Sequence, residues 1–520
     1  MNRDSMRREV FDSAEPWDLV IIGGGATGVG TAVDSAARGY RTLLLEQHDF
    51  GKGTSTRSTK LVHGGVRYLR QGNVSLVREA LRERGRLRQN APHIVHDLPF
   101  IVPSYSWWEK SYYGLGLTVY DWLAGSLGFN RTYTLSRAAA LAKNPNLKTA
   151  GLRGGVVYSD GQFDDARLLI NLAATAVEQG ATLLNYARVT AIHKDSNGKA
   201  NGVDFEDLES GERKSITARA VINATGPFCD GVRRLADSAA TNIVSPSQGV
   251  HLVFAGSFLP SDHAIMVPDT PDGRVLFAIP WHGHTLVGTT DVPINDTPLE
   301  PLATEAEIDF ILETAGRYLE RAPTRTDILS IFAGIRPLVK SGGGKNTAAL
   351  SRDHTIHIDD SNLLTITGGK WTTYRNMAED CVNRAAALAG LPARECATKE
   401  LHIHGWLEVT SKPARLAVYG ADAAAIEKLI QQDEKLGRQL HPDLPIVAAE
   451  VVWAARHEMA RTVEDILARR TRALFLNARA AIAMAAPVAE LLASELRKDQ
   501  DWQRDQVESF TAVARGYLVD

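Results

Sequence analysis

Short unbroken apolar runs, each closed by glycine or a polar cluster, dominate the first two thirds of the chain, and helical spacing dominates the rest. The run 19–22 predicts a buried parallel strand. A small-residue stretch over 26–38 predicts a helix stopped by Gly39, and 42–45 predicts a second strand closed by Glu46. Residues 75–90 have the spacing of an amphipathic helix, with Leu76, Ala80, Leu81 and Leu87 inward and its arginines, interleaved with Glu79 and Glu83, on a solvated face. A helix over 166–179 takes Asp165 as its cap. Alternation over 182–207 predicts strands, with Asn197-Gly198 and Asn201-Gly202 as hairpin signals. Strand-like runs between 244 and 340, interrupted by a helix over 305–319, predict an antiparallel sheet. Residues 363–375 read as a strand, a Gly-Gly turn and a helix start capped by Thr372 and Thr373. Helices follow over 422–430, over 446–458 and from 463 onward, with Pro442 and Pro445 marking a break.

The first strand is followed at once by Gly23, Gly25 and Gly28 in G-x-G-x-x-G spacing. Gly23 allows a tight turn, Gly25 lets backbone approach a pyrophosphate, and Gly28 lets the helix pack close on the strand. The helix N-terminus offers free N–H groups and a positive dipole end to phosphates. Glu46 stands roughly 20 residues on, where a carboxylate accepts from ribose hydroxyls. Strand, glycines, helix, strand and acid in this order predict dinucleotide binding. The next segment supplies hydroxyls at Thr54, Ser55, Thr56, Ser58 and Thr59 and cations at Arg57, Lys60 and Arg67, which suits a loop wrapped around a polyanionic cofactor.

At 520 residues the chain has room for two or three domains. Its 44% hydrophobic and 23% charged residues are those of an ordinary globular protein, and a net charge of −3 gives no reason to expect nucleic acid. Cys229, Cys381 and Cys396 form no metal spacing and fit buried thiols in a reducing compartment. The polar start, 1–15, lacks the apolar core of a signal peptide. No run of about 18 uncharged apolar residues exists, so no membrane-spanning helix is expected. Residues 104–129 crowd Trp107, Trp108, Tyr112, Tyr113, Tyr120 and Trp122 together. With Lys110 and Arg131 they suit a membrane interface. An aromatic core or oligomer contact is the alternative, since Glu109 and Asp121 interrupt the stripe.

The segment Ser58-Thr-Lys-Leu-Val-His-Gly-Gly-Val-Arg-Tyr-Leu resembles the signature of the FAD-dependent glycerol-3-phosphate dehydrogenases, within the D-amino-acid-oxidase-like flavoproteins. Later segments match in order, so the resemblance spans most of 17–480. It implies an α/β and α+β protein: a Rossmann-like FAD-binding domain, an antiparallel-sheet substrate domain and a C-terminal helical domain. The FAD-binding parts are expected at 17–75, 166–235 and 356–395. A helical and aromatic insertion, partly substrate- or membrane-facing, is expected at 76–165, the substrate domain at 236–355 and the helical domain at 396–520.

The resemblance also assigns roles. Gly23, Gly25, Gly28, Glu46, Thr54, Ser55, Ser58, Lys60, Leu61, His63, Ala224, Thr225, Gly226, Thr372 and Thr373 fall to FAD. Ala224-Thr225-Gly226, closing an apolar strand, is similar to the second flavoprotein fingerprint. The helix after Gly-Gly-Lys is expected to point its N-terminus at the flavin's pyrimidine edge. Arg67, Tyr68 and Arg352 fall to the phosphate of sn-glycerol 3-phosphate. Arg336, from Gly334-Ile-Arg-Pro, is expected to hold the C2 oxygen near flavin N5. His251, from Gly249-Val-His-Leu, is the base candidate, and Lys370 shares either role. No metal is expected. The expected reaction gives dihydroxyacetone phosphate, with a quinone as acceptor and oxygen as the alternative. A homodimer on the cytoplasmic face of the inner membrane is the expected state. An amine or amino-acid oxidase on the same fold, and a non-catalytic flavin module, are the rival readings.

Overall fold

The computed structural model describes residues 1–66, 73–268, 270, 273–339, 354–408 and 416–519. Arg67, Tyr68, Arg352 and the Gly-rich stretch 341–345 lie outside the described residues. Among the described residues two large sheets carry the fold. The first runs, edge to edge, His354–Ile358, Leu364–Gly368, Arg213–Asn223, Trp17–Ile22, Thr42–Leu45 and Thr182–Leu184. Its neighbours pair in parallel except at the His354–Ile358 edge. Leu19, Val20 and Ile21 are fully buried because both faces are covered. Helices Ala26–Ala37, Asp165–Glu178 and Tyr374–Leu388 cover one face. The first helix, Arg3–Asp12, and the antiparallel extension Ala187–Lys194 and Ala200–Asp207 cover the other.

Local sequence signals explain most boundaries here. Helix Ala26–Ala37 stops at Arg38, and Gly39 follows at φ +76°, where a side chain would be strained. Asn197-Gly198 does form a turn, with Gly198 at φ +76°. Asn201-Gly202 does not: it lies inside strand Ala200–Asp207, where a Cβ on Gly202 would stand 2.2 Å from the Ile216 carbonyl oxygen. That glycine serves close strand pairing, and the second turn comes later, at Gly211 (φ +72°). The cap of helix Asp165–Glu178 is Asp164, whose carboxylate accepts from Arg167 N. Asp165 is instead fully buried and paired with Lys60 at 2.8 Å.

The second sheet has ten strands among the described residues. Its order is Val292–Pro293, Val244–Ala255, His284–Gly288, Leu276–Trp281, Ala264–Val267, Val95–Ser104, Gly154–Phe163 and Leu61–Val62. Ile328–Val339 pairs with Val244–Ala255, and Tyr133–Ser136 with Gly154–Phe163. Pairing is antiparallel except between Ala264–Val267 and Val95–Ser104. The stretch 76–165, expected as a helical and aromatic insertion, therefore gives this sheet three of its strands. Helix Glu305–Tyr318, opened by a Thr304/Glu307 capping box, packs on one face.

On the other face lies the C-terminal helical region, chiefly Ala448–His457, Ala478–Leu496 and Gln500–Arg515. Val253 and Phe332 of the sheet share one core with Leu474, Phe475 and Phe510. Helix Val74–Asn90 buries Val77, Ala80, Leu81 and Leu87, while Leu76 is half-buried. Its polar face is not wholly solvated as expected. Arg84 is buried against Asp160 at 2.7 Å, and Glu83 is buried against Arg375 at 2.6 Å.

Candidate active site

A cavity of about 410 Å³ opens at the C-terminal ends of the parallel strands, the position where such sheets bind ligands. Gly23, Glu46, Ala224 and Gly369 each directly follow a strand and all line it. The glycines are there for contact geometry. A Cβ on Gly28 would sit 1.9 Å from the Gly23 carbonyl oxygen, and Gly23 itself holds φ +112°. The Glu46 carboxylate is fixed by two backbone donors, Gly24 N–H at 2.6 Å and His48 N–H at 2.8 Å. Burial nonetheless pushes its pKa above the usual carboxylate value, against the pull of those two bonds.

The loop after Glu46 closes the cavity. Ser55 Oγ accepts from Ala26 N at 2.9 Å, and its carbonyl accepts from Trp371 Nε1 at 2.7 Å, so the loop is tied to two helix starts. Thr54 Oγ donates to the Ile335 carbonyl at 2.7 Å. Thr225, Gly226 and Lys370 also line this cavity. Ser58 and Lys60, expected at the cofactor, line neither cavity. Lys60 is fully buried with its ammonium on both Asp165 oxygens, and Ser58 donates to the same carboxylate at 2.7 Å. Thr372 and Thr373 sit at the start of helix Tyr374–Leu388, but neither side chain caps it. Thr372 Oγ accepts from His63 N at 3.2 Å instead.

A second cavity, about 600 Å³, adjoins the first where Pro337 lines one and Arg336 the other. It is also lined by Thr59, Leu61, His63, Tyr158, Asp291 and Arg274. The Arg336 guanidinium donates to the carbonyls of Gln248 (3.2 Å) and Thr290 (3.0 Å), to Thr289 Oγ (3.1 Å) and to Asp291 Oδ1 (3.3 Å). Gly249 makes room for it, since a Cβ there would stand 2.3 Å from Nη2. Asp291 also holds Arg274 at 2.8 Å, so one carboxylate orients two cations. His251 lies behind Thr59, with Nε2 2.9 Å from the Thr59 hydroxyl and its ring stacked on Phe332 at 4.9 Å. Burial first, and then the charges of Arg336 and Lys60, hold its imidazole well below the usual histidine pKa, so it is neutral at pH 7. No described residue meets its Nδ1.

Comparison with known proteins decides the family. The profile described as "FAD dependent oxidoreductase" matches residues 18–375, and that of the "C-terminal domain of alpha-glycerophosphate oxidase" matches 363–503. The probable mitochondrial glycerol-3-phosphate dehydrogenase of Caenorhabditis elegans is 40% identical over 96% of this chain and 73% of its own length. The mitochondrial glycerol-3-phosphate dehydrogenase of Homo sapiens is 39% identical over 98% of this chain and 75% of its own. This chain belongs to the FAD-dependent glycerol-3-phosphate dehydrogenase family.

Among solved structures, the Bacillus halodurans glycerol-3-phosphate dehydrogenase complexed with FAD matches 99% of this chain and 97% of its own, with a TM-score of 0.77 at 29% identity. The L-alpha-glycerophosphate oxidase of Mycoplasma pneumoniae shares the fold over 76% of this chain and all of its own, with a TM-score of 0.57 at 17% identity. The residues at the first cavity fit the family's cofactor. Gly25, on the cavity wall, leaves room for a pyrophosphate against the backbone, Gly23 and Gly28 let the turn and the helix close beneath it, and Glu46 is fixed with lone pairs to spare. Reading the sequence missed several lining residues, among them Asp291, Arg274 and Tyr158. Asp291 had a signal: Gly288-Thr-Thr-Asp ends an apolar strand in a cluster of polar residues. Arg274 and Tyr158 had none, because their partners are distant in sequence.

Proposed function

We propose that this family member oxidises sn-glycerol 3-phosphate to dihydroxyacetone phosphate and passes the electrons to a quinone at a membrane surface. The observation that carries the reading is the arrangement of Arg336 and Arg274 about Asp291, one residue from the cofactor cavity at Pro337. Bound FAD supplies the two-electron acceptor for the C2 hydride. Gly23, Gly25 and Glu46 would hold its adenosine and pyrophosphate side, with Gly28 keeping the helix close beneath them, and Ala224, Thr225, Gly226 and Lys370 line the same cavity. The start of helix Tyr374–Leu388 would offer a positive dipole end to the negative charge of a reduced flavin.

The chain's own groups account for the rest of the chemistry. Arg336 is the donor for the C2 oxygen as it turns into an alkoxide. A neutral His251 takes the hydroxyl proton through Thr59, which stands between it and the cavity. Arg67, Tyr68 and Arg352 take the phosphate by family resemblance, and Lys370 shares the stabilisation of charge.

The acceptor side rests on helix Glu109–Ala124. Trp107 (81%), Trp122 (80%) and Leu115 (72%) are exposed, whereas Leu117 and Tyr120 anchor the helix. Such large exposed apolar residues on one helix and the turn that leads into it suit a lipid surface. Leu115 and Val119 also line the outer end of the second cavity, which gives an apolar quinone a way in. Among the described residues no helix is long and apolar enough to cross a membrane, and the contact in this reading is a peripheral one through the exposed residues of helix Glu109–Ala124. The cytoplasmic face and the homodimer belong to the same reading through the family.

Steady-state turnover tests it. The protein is expected to reduce a quinone analogue with sn-glycerol 3-phosphate, and not with glycerol or D-amino acids. It should bind anionic vesicles less well after Leu115→Glu with Trp122→Glu. Turnover with a D-amino acid in place of the phosphate ester would overturn the substrate assignment.

A further inference from the structure

The loop that lines the FAD cavity is held from behind by the C-terminal helical region. Asp49 is fully buried and takes Arg470 through two bonds (2.7 and 2.8 Å) and Arg469 Nε at 2.5 Å. Arg469 also reaches Glu464 (2.6 Å) and Asp465 (2.7 Å). Glu464 holds the Lys52 ammonium at 2.5 Å, and Glu300 holds it from the other side at 2.6 Å. Glu300 then meets Arg57 at 2.6 Å, and Tyr517, three residues from the end of the chain, bonds both Arg57 and Glu300 at 3.1 Å. Arg57 closes the circuit by donating to the Lys52 carbonyl at 2.8 Å.

Four cations, Lys52, Arg57, Arg469 and Arg470, thus face four carboxylates, Asp49, Glu300, Glu464 and Asp465. The network has no net charge to offer a phosphate. Lys52 lines the cavity, yet its ammonium is committed to two carboxylates on the far side. What the network does provide is shape. Between its anchors at Asp49 and Arg57 lie Gly51, Lys52, Gly53, Thr54 and Ser55, all of them on the cavity wall. Burial alone would raise the Glu464 carboxyl, but Arg469 and Lys52 bring it down to about 2, so it stays charged at any working pH. A buried network of this kind has two states, whole or broken, because a charge left without its partner is costly.

We propose that the C-terminal helical region is a working part of the cofactor site: through Asp49, Lys52 and Arg57 its residues Arg469, Glu464 and Tyr517 hold loop 48–57 in the shape that binds FAD. These are positioning residues, acting through the loop. By linkage, bound FAD must also tighten the docking of 463–476. The proposal rests on the first cavity being the FAD site.

The test is the rate of FAD release from the holoenzyme, read as flavin fluorescence after dilution. Glu464→Gln removes the charge and keeps the shape, and loss of a charge-assisted bond predicts release faster by about tenfold or more. Glu464→Asp, which restores the charge, should recover part of the loss. Arg456→Ala breaks an exposed pair with Glu495 in the same region and should leave release unchanged. A purely structural role would lower the melting temperature of Glu464→Gln and leave its release rate at the wild-type value, which overturns the proposal. If Glu464→Gln does not fold, hydrogen exchange on the wild type decides. Stripping FAD must raise exchange in both 48–57 and 463–470, and unchanged exchange in 463–470 overturns the coupling. A wild-type protein without FAD overturns the reading beneath the proposal, and the proposal with it.

Discussion

The two cavities are made of different material. The first is backbone: glycines that allow close approach, strand ends, helix N-termini, and a carboxylate fixed by two N–H groups. The second is side chains: Arg336, Arg274, Asp291 and Thr59, brought from separate strands and loops to one wall. A backbone site tolerates change in most side chains but none at its glycines. A side-chain site keeps its shape after a substitution and loses its chemistry. Binding the cofactor and acting on the substrate should therefore fail separately.

That separation can be broken or sharpened by substitution. Arg336→Ala should have the largest effect, lowering turnover by roughly 10²–10³-fold or more, the cost of losing a donor to a developing oxyanion. FAD should remain bound, because Arg336 lies off the first cavity, and a colourless Arg336→Ala protein would merge the two sites. Gly28→Ala is the converse: a methyl 1.9 Å from a carbonyl oxygen forces the helix off its strand, and the purified protein should lack flavin. Asp291→Asn keeps the shape but removes the charge that orients Arg336 and Arg274. A fall in kcat/KM of about 10–100-fold is expected, from weakened charge-assisted bonds, with the flavin content unchanged.

The smallest effect lies away from both cavities. His404 sits between Glu178 (2.5 Å) and Asp422 (2.8 Å), and these partners raise its pKa to about 9. A raised folded-state value means stability that is full below the unfolded value of about 6.5 and is lost as pH rises through 9. His404→Gln should therefore lower the urea midpoint at pH 6 and make no difference at pH 10. An equal loss at both would mean that the charge is irrelevant.

The same contrast explains what the sequence could reveal. Gly23, Gly25, Gly28 and Glu46 act through neighbours in sequence, so their spacing alone announced strand, turn, helix and ligand class. The helix over 305–319 was legible too, because Thr304 and Glu307 cap it locally. The side-chain site was half legible. Arg336 stood out as a cation within an apolar strand, but Asp291, which orients it, is 45 residues upstream and meets it only across the sheet. Burial of charge was the least legible feature. Lys60, Asp165 and Arg84 carry no local mark that their charges are paired inside the protein rather than solvated or set at a ligand.

The central claim is that one cavity holds FAD and the adjoining one delivers a phosphorylated alcohol to it. Anaerobic addition of sn-glycerol 3-phosphate to the purified protein, followed at the flavin absorption band, tests it most directly. The account predicts prompt bleaching, with no response to glycerol or to D-amino acids. A yellow protein that stays yellow with sn-glycerol 3-phosphate would contradict it.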